Sequence, residues 1–218
     1  MIDDLGNTPL DVIANNIRQS LSLGEEENAA AQAKKLYTMI VGGGNLVEPL
    51  AANLMQNWLN GAPQNPYMIA SSDVKGAILS NKSRKGSDAP NIQTGKRLCG
   101  FLDATAQLGG SGNLSGTFGL TATSGRYYHA FGSFNIYFQG KFSCKDKRCV
   151  FVGSFGFMDT YDWHDGLTAY VGKTKIEDSW ALLVEKYYGA KSFDEVGAWS
   201  GTIKVDCSQA LPVAAEGR

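Results

Sequence analysis

Eight consecutive residues, Asp159-Thr160-Tyr161-Asp162-Trp163-His164-Asp165-Gly166, hold three carboxylates, a phenol and one of the chain's two histidines. Carboxylate oxygens suit a hard divalent cation such as Mg²⁺ or Ca²⁺. His164 can take or give a proton near neutral pH. Together these are parts of a phosphoryl-transfer site. There a metal neutralises diphosphate charge, a carboxylate or histidine activates water, and a basic group steadies the leaving oxygen. The plainer alternative is a polar loop whose aspartates cap turns around a solvated histidine.

The elements that must position these groups are legible in outline. Residues 150–158, immediately upstream, form an aromatic, glycine-punctuated run that reads as a strand, a rigid mount for polar chemistry at its end. On a straight strand, Asp159 and Tyr161 face one side and Asp162 and His164 the other. Convergence therefore requires the strand to end or bulge near 160–162, and Asp165-Gly166 is a turn signal that allows it.

Further strands are expected at 114–123, 127–142 and 198–207. In the second, Phe134, Ile136, Phe138 and Phe142 alternate with polar residues, the mark of a sheet with one buried side. A helix opening at Asp178 or Ser179 carries Trp180, Leu183, Val184, Tyr187 and Tyr188 on one stripe and stops at Gly189. It is expected to pack on the sheet or to plug its open end.

Upstream, three helices are expected. The first has Thr8 as N-cap, Pro9 at the first helical position and Asp11 at N3. The second runs from Glu25-Glu26-Glu27 to Gly42-Gly43-Gly44. The third starts at Asn45 and ends at Gly61. The glycine run is not followed by Gly-Lys-Ser/Thr and reads as a helix stop, not a phosphate loop. The architecture is therefore α+β. A helical segment covers 1–61 as a delivery or docking part, an irregular basic linker covers 62–97, and a mainly antiparallel β-sheet or open β-barrel with a covering helix covers 98–210. The polar run at 80–87 reads as solvated linker, or as a basic arm for an anionic surface.

The formal net charge of -1 argues against a nucleic-acid partner, which needs a basic excess. No apolar run is long enough to span a membrane. The start, Met1-Ile2-Asp3-Asp4, is acidic and lacks the features of a Sec signal peptide. Cys144 and Cys149 flank a polar loop of four residues. They are either bridged across a hairpin or two thiols on adjacent strands.

The run Asp159-Thr160-Tyr161-Asp162, D-x-Y-D at the end of an aromatic strand, resembles the active-site signature of colicin M-type bacteriocins. That family cleaves the undecaprenyl-pyrophosphate-linked peptidoglycan precursor, lipid II, in the periplasm. Its catalytic domain is an open β-barrel with helices, and it requires a divalent metal. The resemblance implies a metal-dependent hydrolase with Asp159 as the essential acid and Tyr161 and Asp162 as partners. Asp159 and Asp162 would hold the metal, Mg²⁺ with Ca²⁺ or Mn²⁺ as alternatives.

The family carries a His-Arg pair beyond its second aspartate. Here His164 follows Asp162 by two residues, and the next arginine is Arg218. His164 thus matches the family histidine by type but not by position, and Arg126 is the candidate for the missing cation. Trp163 is a candidate lipid-facing wall with Tyr161; the plainer alternative is that both rings are core. The resemblance further implies export without a Sec signal, delivery by a secretion system, action in the periplasm of a target bacterium, and an immunity protein in the producer. Two other classes remain open: a non-enzymatic glycan- or membrane-binding module that uses exposed aromatics, and a glycosidase that uses Asp159 and Asp162 as its carboxylate pair.

Overall fold

The computed structural model describes residues 8–43, 48–79, 90–122 and 127–209. Arg126, the basic run at 80–87, the helix start expected at Asn45 and the tail after Leu211 lie outside these residues.

In chain order the elements are α1 (Pro9–Ser22), α2 (Glu26–Gly42), α3 (Pro49–Leu59), β1 (Tyr67–Ile69), α4 (Ser71–Leu79), α5 (Pro90–Gly100) and α6 (Ala104–Gly109). There follow β2 (Ser111–Thr121), α7 (Tyr128–Phe131), β3 (Ser133–Lys145), β4 (Arg148–Tyr161), β5 (Thr168–Val171), β6 (Thr174–Glu177), α8 (Asp178–Tyr188) and β7 (Phe193–Asp206). The fold is α+β, as its sequence pattern predicts. The chain forms two compact units: Met1–Tyr67 with Thr160–Asp194, and Met68–Asp159 with Glu195–Arg218.

In the first unit, α1 begins with a capping box. Thr8 Oγ1 accepts from the Asp11 N–H at 3.3 Å, and the Asp11 carboxylate accepts from the Thr8 N–H at 2.9 Å. The Thr174 hydroxyl of β6 donates to the same carboxylate at 2.6 Å and, ahead of Thr8, holds its pKa below the usual value. Helix α8 buries Trp180, Ala181 and Val184 and ends at Gly189, whose φ of 70° is the left-handed conformation a helix stop needs. Within that unit its main partner is α2. A stripe of that width fits a helix groove as well as a sheet.

In the second unit, strands run in the order β1-β7-β4-β3-β2, an open, mainly antiparallel sheet. The inner face buries Phe118, Leu120, Phe134, Ile136, Phe138, Phe151, Phe155 and Phe157. The strand expected from residue 127 is shorter. Tyr128–Phe131 form α7, and Gly132, at φ 55°, turns the chain into β3. The stretch 62–97, expected to be irregular, contains α4 and most of α5. Val74, Ala77 and Ile78 in α4 and Leu98 in α5 are buried, so a few well-spaced apolar residues outweigh the polar composition.

Cys144 and Cys149 do form a disulfide across the β3–β4 hairpin, with Cα atoms 4.1 Å apart. The connection is tighter than the four-residue loop expected. Strand pairing includes Lys145 and Arg148, and only Asp146 and Lys147 turn, with φ of 50° and 64°. A second disulfide joins Cys99 of α5 to Cys207 beyond β7, and its Cys207 sulfur lies 3.6 Å from that of Cys149. No cysteine is free.

Candidate active site

Strand β4 carries Asp159 in the parity of Phe151, Phe155 and Phe157, so the carboxylate belongs to the inner, apolar face. Across from it runs β7. Ser154 and Ser200 hydroxyl oxygens are 2.9 Å apart, and the Phe155 and Trp199 rings stack at 5.3 Å. These pairs fix an antiparallel register in which Asp159 stands opposite Glu195.

Glu195 is 0% exposed, and neither of its carboxyl oxygens has a hydrogen-bond partner among the described residues. Burial, reinforced by the charge of Asp159, pushes its pKa up to about 9. At neutral pH Glu195 therefore keeps its proton. A buried, protonated carboxyl opposite a second carboxyl is the usual material of acid–base chemistry. Glu195 escaped the sequence reading because the strand was expected to begin at 198. Phe193-Asp194-Glu195-Val196-Gly197 lacks clean alternation, and the one signal available was Phe193 and Glu195 sharing a parity with Trp199.

The rest of the run lies in the first unit. Strand β4 ends at Tyr161, so the strand termination expected near 160–162 is present. Tyr161 is 7% exposed, and its ring stacks on Phe193 at 5.2 Å and meets Trp163 edge-on at 5.8 Å. Trp163 in turn packs against Tyr37 and Trp58, and its indole N–H is buried without an acceptor among the described residues. Tyr161 is thus committed to an interior cluster, and Trp163 is half-buried beside it. Aromatics following a strand bury more apolar area inside a cluster than on a surface.

Asp162 and His164 point to the surface and pair there, Oδ1 to Nδ1 at 3.6 Å. Asp178, at the start of α8, accepts the His164 backbone N–H at 3.4 Å. Partial burial, with a smaller contribution from the Asp162 charge, raises the Asp178 pKa against the opposing influence of His164. The structure thus sets Asp162 beside the His164 imidazole and Asp178 on the His164 backbone. The second histidine, His129, is packed edge-on to Tyr128, and burial lowers its pKa, which suits the structural role its aromatic neighbours suggest.

Among the described residues, no three His, Cys, Asp or Glu side chains form a group that could cage a metal ion. Mg²⁺ needs no such cage, since it is commonly held by one or two carboxylates and completed by water and substrate phosphates. The donors here are hard oxygens, of the type such an ion takes.

Neither a known protein family nor a curated protein matches the sequence. Among solved structures, the bacteriocin syringacin M from Pseudomonas syringae pv. tomato DC3000 is similar, with a TM-score of 0.36 and 15% identity. The match covers 71% of this chain and 51% of that one, so this chain spans about half of syringacin M. It is a weak likeness, of fold only.

Proposed function

We propose that this protein is an antibacterial phosphodiesterase that cleaves lipid II and so blocks cell-wall synthesis. The observation that carries the reading is the carboxyl pair at the end of the D-x-Y-D strand: Asp159, with Glu195 buried and protonated opposite it. In this reading Asp159 is the base that takes a proton from the attacking water. Glu195, which solvent does not reach, acts through Asp159 as a positioning residue. Its proton keeps a second negative charge from standing beside Asp159.

His164, steadied by Asp162 and Asp178, is the group suited to return a proton to the leaving oxygen. Tyr161 holds the strand end in place through its stack on Phe193. Asp159 and Asp162 are the residues that would hold a divalent cation, Mg²⁺ in the first instance, with Ca²⁺ or Mn²⁺ as alternatives. Such a cation, when bound, would offset the diphosphate charge of the substrate. Two disulfides support action in an oxidising compartment such as the periplasm of a target bacterium. The reading carries with it a lipid II-bearing membrane surface as the place of action, and an immunity protein in the producer.

The test is incubation of the oxidised protein with lipid II and Mg²⁺, with and without chelator, beside Asp159→Asn. Release of a pyrophosphorylated disaccharide-peptide is expected, lost in the variant and with chelator. Absence of cleavage by folded protein across Mg²⁺, Ca²⁺ and Mn²⁺ would refute the assignment.

A further inference from the structure

The outer face of the sheet, opposite the aromatic core, carries a feature that the catalytic reading does not use. An open groove of about 640 Å³ is lined by Asn113, Ser115, Gln139, Lys141 and Ser154. That volume is in the range of sites that hold small organic ligands, about 300–1,000 Å³. Its residues fall in register across the strands. Ser115 pairs with Gln139 and Gln139 with Ser154, and Ser154 reaches Ser200 through its hydroxyl. One row over, Asn113 pairs with Lys141.

On the other side, Tyr137 lies between Thr117 and Gly156 and is 45% exposed. Gly156 leaves no side chain beside the ring on that flank. Gly140 and Gly153 face each other where the backbones approach closely. A Cβ on Gly140 would stand 2.2 Å from the Val152 carbonyl oxygen, so no larger residue fits.

The lining is rich in groups that both donate and accept hydrogen bonds, amides and hydroxyls, and contains one charge, on Lys141. A nucleic acid or an anionic membrane surface would call for several cations together. A peptide adding as a strand would use a sheet edge, not a face. A neutral, hydroxyl-rich ligand with one flat apolar side meets both the hydrogen-bonding stripe and the adjacent tyrosine ring.

The geometry points to this groove as a binding site for a short neutral oligosaccharide, seated along Ser115, Gln139 and Ser154 with one sugar ring against Tyr137. The site is independent of Asp159 and of the proposed cleavage chemistry.

The test is calorimetry and ligand-observed NMR on the full oxidised chain with chitotriose, cellotriose and maltotriose. Saturable binding of at least one is expected. Gln139→Ala and Tyr137→Ala should each weaken it about tenfold or more, the loss of one good contact. Both positions are solvent-facing, so circular dichroism and melting should show the variants folded. Asp159→Asn should bind as the unaltered protein does, which keeps this test separate from that of the catalytic reading. No saturable binding of any of the three sugars would overturn the inference, as would binding that neither variant changes. Binding to phosphatidylglycerol vesicles that depends on Lys141 and not on Gln139, with no sugar bound, would assign the face to a membrane instead.

Discussion

Replacing Glu195 with Gln isolates the energetic consequence of the buried acid. The amide is nearly isosteric and does not titrate. In the folded protein Glu195 holds its proton up to about pH 9, against 4.5 for an unperturbed glutamate. The folded state therefore binds a proton that the unfolded chain releases between those values, so this group makes stability fall as pH rises through that window. Below pH 4.5 both states are protonated and the effect vanishes. At 1.36 kcal/mol per unit, the cost reaches about 3 kcal/mol at pH 7 and about 6 kcal/mol above pH 9. Glu195→Gln should thus differ little from the parent at pH 4 and exceed it by about 3 kcal/mol at pH 7, with the gap widening further at pH 9. The assay is urea unfolding followed by tryptophan fluorescence at the three pH values, with disulfides intact and chelator present. A gap that stays constant with pH, or one that shrinks as pH rises, would refute the burial argument.

The two disulfides should differ in worth. Cys99–Cys207 closes a separation of 108 residues and Cys144–Cys149 one of five. Chain entropy then gives about 5 kcal/mol for the long link and about 2 kcal/mol for the short one. Paired Cys→Ser replacements compared by urea unfolding check the order, and equal losses would contradict it. Trp163→Ala removes a ring packed against Tyr37, Trp58 and Tyr161, and should cost about 3 kcal/mol and much of the near-ultraviolet circular dichroism. An unchanged melting curve would instead free Trp163 for a surface role.

Several features were legible because they depend on neighbours in sequence. Thr8, Pro9 and Asp11 specify the start of α1 by residue type alone. Gly189 specifies the end of α8. The alternation of Phe134, Ile136 and Phe138 assigns the buried side of β3. Cys144 and Cys149 lie at a spacing that one hairpin brings into contact, and Asp165-Gly166 marks a turn just beyond the end of β4. Each is a backbone period, a cap or a turn, and the chain states these directly.

What only tertiary structure decided concerns partners far apart in the chain. Cys99 meets Cys207 because α5 and the end of β7 belong to one unit. Tyr161 becomes an interior residue and Trp163 a half-buried one because Phe193, Tyr37 and Trp58 supply rings to pack against. Glu195 acquires its meaning through the register of β7 on β4, which sets it opposite Asp159 and away from water. Asp178 likewise joins Asp162 and His164 only once α8 is placed. A residue's own type states what chemistry it can do. Its burial, and the charge set beside it, depend on which distant strand or helix arrives there, and those decide the protonation state in which it works.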